Sequence, residues 1–200
     1  MKTFFFNPAA LKARLLNLGH REQVAFSILC IERMLPNYRA FQREHNWGNI
    51  DVIDRSIDCG WRWLLGEPGS EKERIELAAF CDAQAPDTEV FGSIYASAAL
   101  DVAVATSTLM KLVSAKKSLG TDMVMEIVSL CRDTVDMYVQ ELERMDANSP
   151  NLEEAIRLHP LMQAELFRQN SDLVALESEV NFYELARDRR VQSLSNLGLS

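Results

Sequence analysis

Residues 93–118 read SIYASAALDVAVATSTLMKLVSAKKS, and the fold turns on them. Tyr95, Ala98, Val102, Ala105, Leu109 and Leu112 recur at steps of three and four, the period of one helical face. Little of the remaining circumference suits water. Asp101 is the only charge between Val90 and Met110, and it shares a stripe with Ser93, Ser97 and Thr108. A helix apolar nearly all round is a buried one, so this segment needs other helices around it. Val90–Met110 also has roughly the length of a membrane span, but a carboxylate at its middle favours the core of a globular bundle.

Reading downstream, Gly120 should close this helix, with Thr121 or Asp122 capping the next. Val124, Val128, Cys131, Val135, Tyr138, Leu142 and Met145 then form a heptad seam, with Glu126, Asp133, Asp136, Gln140 and Glu143 opposite. Such a seam suits bundle packing at roughly +20°. Ser149-Pro150 opens a further stretch that Pro160 interrupts. From there to about Arg190 the apolar seam is Met162, Leu166, Leu173, Leu176, Val180 and Tyr183, broken by Gln169. Arg187, Arg189 and Arg190 fall in its last turn, where cations meet the negative end of the helix dipole. The tail after about Val191 is expected to fray.

Upstream, Ser70-x-x-Glu73 is a capping box following the break at Gly66–Gly69. Asn49 can cap a helix carrying Ile50, Ile53, Ile57, Trp61 and Leu64. Another helix is expected from about Arg21 to Leu35, apolar almost all round over Val24–Ile31, and Pro36 is expected to stop it, leaving Tyr38 and Phe41 inward on a short helix. Asn7-Pro8 opens the first helix, with Leu11, Leu15 and Leu18 on one face. With 48% hydrophobic residues, 25% charged, eight Gly and six Pro, the composition is that of a helical globular protein. The expectation is one all-α domain over residues 1–200: a helical bundle of about seven to eight helices, packed mostly up and down and antiparallel.

The formal net charge of -8 gives phosphate binding no help. Phe41–Trp61 has the outline of a helix-turn-helix, but its second helix carries Asp51, Asp54 and Asp58 against Arg55, which would repel phosphates. No nucleic-acid partner is expected. Residues 1–45 hold seven Lys/Arg against three Asp/Glu, a basic end on an acidic body. The apolar run Phe4–Phe6 is too short for a signal peptide, so the chain is expected in the cytoplasm and off the membrane.

Cys30, Cys59, Cys81 and Cys131 lie 29, 22 and 50 residues apart among apolar neighbours, as buried thiols do. His20, His45 and His159 are separated from one another, and neither Glu-x-x-His nor H-E-x-x-H occurs. The glycines make no phosphate-binding loop and no nucleophile elbow. Neither metal nor cofactor is expected.

Polar residues sit awkwardly at two places. Glu32-Arg33 ends the apolar helix just before Pro36-Asn37-Tyr38, and Asp101 lies inside the other. One reading gathers Glu32, Arg33, Asn37, Tyr38 and Asp101 into a pocket where a carboxylate with a shifted pKa acts as acid or base. The other makes Arg33 and Asp101 a buried ion pair joining the two helices.

The run Phe26-Ser-Ile-Leu-Cys30-Ile-Glu32-Arg33-Met-Leu-Pro36-Asn37-Tyr38-Arg-Ala-Phe41 resembles the YjaG-like family of bacterial proteins (domain of unknown function 416). Trp47-Gly48, Asp58, Trp61, the Asp101 helix and Ser195-Asn196-Leu197-Gly198 extend the likeness. It implies an all-helical bundle and no established activity, so it carries over no catalytic residues. The function expected is a cytosolic protein-interaction domain, binding another protein or itself as a homodimer, without catalytic activity. The alternative is a small-molecule binder or enzyme using Glu32, Arg33, Tyr38 and Asp101.

Overall fold

Local chemistry sets most helix starts. Asn7 accepts the Ala10 N–H at 3.0 Å ahead of Pro8, Asn49 accepts that of Asp51 at 3.0 Å, and Ser70 that of Glu73 at 3.0 Å. The computed structural model describes residues 3–115, 117–178, 180–188 and 195–198. Among them are nine helices: α1 (Pro8–Asn17), α2 (His20–His45), α3 (Ile50–Leu64), α4 (Glu71–Asp82), α5 (Ala96–Ser114), α6 (Lys117–Leu142), α7 (Leu152–Leu158), α8 (Pro160–Leu176) and α9 (Phe182–Asp188). The described residues contain no strand. The architecture is an all-α bundle.

The apolar helix expected over residues 93–118 is α5, shorter at both ends, and it sits at the centre. It packs against α2, α3, α4 and α6, with Val102, Ala103, Ala105, Leu109 and Leu112 fully buried. By length and composition α5 is apolar enough to cross a membrane, but here most of it is covered by protein. One large core runs through α1–α6 and reaches Leu173 and Leu176 of α8. A smaller cluster joins Ala98, Val135, Val139, Ile156, Met162, Leu166 and Leu197.

Five sequence expectations need correction. Pro36 does not stop the second helix; α2 runs through it to His45. The ring removes one backbone donor, but Met34, Asn37, Tyr38 and Phe41 are wholly buried on either side, and that packing outweighs a local cost of about 3 kcal/mol. Gly120 does not end a helix either, because it lies inside α6. The long helix begins at Ala96 rather than Ser93, whose hydroxyl accepts the Tyr95 N–H at 3.1 Å. The α6 seam holds through Val135 and then shifts to Val139, leaving Leu142 half exposed. The seam of α8 ends at Leu176, and Tyr183 lies exposed on a separate helix.

The tail does not simply fray. Ser195, Asn196 and Leu197 are buried. Arg189, Arg190 and residues 191–194 lie outside the described residues.

Gly120 has a packing reason. A Cβ there would stand 2.8 Å from Gln23 Oε1, 3.3 Å from Leu112 Cδ1 and 3.4 Å from His20 Nδ1. Gln23 is wholly buried and tied to the Leu15 carbonyl and the Thr121 hydroxyl, so it has little freedom to move aside. In an open helix, Gly→Ala stabilises by roughly 1 kcal/mol. Gly120→Ala is expected to do the reverse and lower the urea unfolding midpoint; a raised midpoint would show that α2 and α6 tolerate the extra carbon.

Candidate functional site

Arg33, on the buried face of α2, points at α8. Its Nε lies 3.1 Å from Glu165 Oε2, its Nη2 3.1 Å from Glu165 Oε1 and its Nη1 2.6 Å from Asp172 Oδ2. Glu165 and Asp172 stand two turns apart on α8, so one guanidinium fork meets both. Glu165 is wholly buried, and its Oε1 also accepts from Gln169 Nε2 at 2.8 Å and from the Cys131 thiol of α6 at 3.2 Å. Cys30 Sγ is 3.4 Å from Arg33 Nη2. Burial works against the Arg33 charge, but Glu165 foremost, with Cys30 and Asp172, overrides it and holds the guanidinium firmly protonated. Burial also raises the pKa of Asp172, partly offset by Arg33, and pushes the Cys131 thiol well up. A thiol so placed is a poor nucleophile.

Asn37, one turn further along α2, gives both ends of its amide to the tail. Its Nδ2 donates to Asn196 Oδ1 at 2.8 Å, and its Oδ1 accepts from the Ser195 hydroxyl at 2.8 Å. The remaining candidates lie elsewhere. Tyr38 donates to the Gln84 carbonyl at 3.1 Å, and burial lifts its pKa to about 12. Glu32 accepts the Trp61 indole N–H at 2.9 Å. Asp101 accepts from the Thr134 hydroxyl at 2.7 Å, and burial raises its pKa to about 7, against the Thr134 hydrogen bond and with help from Asp133.

The expected Arg33–Asp101 ion pair is therefore absent: the ion pairs of Arg33 are with Glu165 and Asp172. Although α2 and α5 do pack together, Arg33 turns from that contact toward α8 and Asp101 turns toward α6. The structure brings Arg33 and Asn37 to one polar region and separates Glu32, Tyr38 and Asp101 from it. Sequence reasoning missed Glu165, Asp172 and Asn196. The signal available was Gln169, the polar break in an apolar seam, one turn from Glu165.

The four cysteines are buried with no disulfide among them. Among the described residues no three His, Cys, Asp or Glu side chains gather as metal ligands. A groove of about 620 Å³ lies where α3 and α4 meet α9, lined by Arg55, Arg62 and Arg187, by Asp58 and Glu73, and by Trp61, Leu65 and Leu77. Arg62 and Glu73 form an ion pair across it at 2.9 Å. Trp61 is buried in its floor, with Glu32 behind the indole.

Fold and site together define an all-α bundle with a buried charge network joining α2 to α8. Residues 10–200 match the family described as "Protein of unknown function (DUF416)", and the chain belongs to that family. It is similar to the uncharacterized protein YjaG of Salmonella typhimurium, and equally to that of Salmonella typhi, at 28% identity over 97% of each chain. A crystal structure of a DUF416 family protein from Shewanella baltica has the same fold: the TM-score is 0.83 at 24% identity, over 94% of this chain and 97% of that one.

Removing one member of a buried ion pair strands its partner, typically at about 3–5 kcal/mol. Glu165→Ala is expected near the lower end, since Asp172 stays with Arg33; an unchanged urea midpoint would mean the network carries no stability. For Asp101, a pKa raised in the folded state makes its contribution complete below about pH 4 and progressively lost as pH rises toward about 7. Asp101→Asn should therefore match the wild type near pH 4 and exceed it in stability at pH 8, by no more than about 4 kcal/mol. Parallel stability curves across that range would contradict the assignment.

Proposed function

We propose that the chain is a non-catalytic protein-interaction domain whose docking face is the groove between α3 and α4. The observation behind this reading is that Arg55, Arg62 and Arg187 outnumber the carboxylates Asp58 and Glu73 in that groove, beside apolar Leu65 and Leu77, on a chain of net charge -8. A partner segment carrying carboxylates beside an apolar side chain complements such a surface, and charge of this kind speeds encounter and sets register. The acidic body of a second copy offers the same chemistry, so self-association belongs to this proposal. We place the protein in the cytoplasm, away from membranes and nucleic acid, on its charge and on the burial of α5.

The acid–base reading of Glu32, Arg33, Tyr38 and Asp101 has less support. Each of these groups is already engaged by a different neighbour, and they do not face a common space. A general acid or base has to lie within hydrogen-bond reach of a substrate proton.

Arg55→Glu combined with Arg62→Glu reverses the groove at two exposed positions and breaks only a surface ion pair, worth about 0–1 kcal/mol. In parallel pull-downs from native cytoplasm, the wild type should retain a partner that the folded double variant loses. Light scattering at matched concentration then separates a foreign partner from a second copy. Identical partners on both chains would remove the groove from the proposal.

A further inference from the structure

The segment Ser195–Gly198 belongs to no helix, yet it is anchored as a ligand is. The Asn196 backbone N–H donates to the Arg33 carbonyl at 2.9 Å, three residues before Pro36 in α2. Its Nδ2 donates to the Cys131 carbonyl at 3.1 Å, and its Oδ1 accepts from Asn37. The Ser195 hydroxyl, besides donating to Asn37, accepts the Leu197 N–H at 2.9 Å, and Gly198 closes the turn at φ +73°. Leu197 enters the smaller apolar cluster.

On the receiving side, Asn37 is wholly buried and spends its whole amide on this segment. That is a slot built for an asparagine-centred turn. The segment also covers a buried thiol that the packed protein holds protonated: Asn196 Nδ2 lies 3.7 Å from Cys131 Sγ.

We propose that Ser195–Gly198 is a latch that detaches as a unit while the helices stay packed, and that its release uncovers the Cys131 thiol. Regions held by side-chain hydrogen bonds outside regular secondary structure open locally before a core does. Here the slot has polar groups that water can satisfy when the turn leaves. Cys59 and Cys81, buried in α3 and α4 away from the tail, open only with the bundle and so serve as internal clocks.

The test is alkylation of the full chain by N-ethylmaleimide, followed residue by residue by mass spectrometry. Asn196→Ala should speed Cys131 labelling by about tenfold, the size expected on losing a few net hydrogen bonds, with Cys59 and Cys81 unchanged. Hydrogen exchange at the amides of Asn196 and Leu197 should accelerate in step. Equal acceleration of all three thiols would mean that the tail is an integral part of the core, and no acceleration at Cys131 would mean that it is not the cover. Either result overturns the latch. If Asn196→Ala does not fold, Ser195→Ala decides, with the same order of thiols expected at a smaller size.

Discussion

The guanidinium of Arg33 can lie inside this protein because Glu165 meets it with both carboxylate oxygens and Asp172 with a third. An isolated charge at that depth would cost several kcal/mol in lost hydration. The requirement is mutual, since Glu165 is more deeply buried than the arginine. Its further bonds to Gln169 and Cys131 leave its oxygens well satisfied. The pair sets the rotation of α8 about its own axis: turned away, α8 would strand a cation in α2 and a carboxylate of its own. Apolar contacts alone, as between Leu173 or Leu176 and the core, are less selective about that angle.

From this joint the arrangement spreads. Because α8 is held at α2 and α6, Met162 and Leu166 meet Val135, Val139 and Ile156 in the smaller apolar cluster. That cluster in turn receives Leu197, and the polar slot above it receives Asn196. The core around α5 is of another kind, with small side chains such as Ala99, Ala103 and Ala105 letting α2 and α6 approach closely. Gly120 belongs to the same logic, since it admits Gln23 where any side chain would crowd it.

The polar residues that looked chemically suggestive are thus distributed among structural tasks. Arg33 neutralises α8, Asn37 holds the tail, Tyr38 fastens the loop at Gln84, Glu32 orients Trp61 and Asp101 meets Thr134. On the outside, arginines, carboxylates and apolar side chains share one groove between α3, α4 and α9.

Helical class, the capping residues Asn7, Asn49 and Ser70, the centrality of residues 93–118 and the burial of all four cysteines were legible along the chain. They depend on periodicity and on side chains within one turn of each other, both of which are local. Pro36 and Gly120 misled because each has a local preference that contacts from distant segments outweigh. The partners of Arg33 and Asp101 were likewise out of reach. Helical spacing says that a charge faces inward, but its partner depends on how each helix is rotated against its neighbours. Glu165 lies 132 residues from Arg33, and Asn196 lies 159 from Asn37. Burial of the central helices was determined by the sequence itself; the pairing of their polar groups, and the burial of the tail, were decided only when packing placed α8 and residues 195–198 against α2.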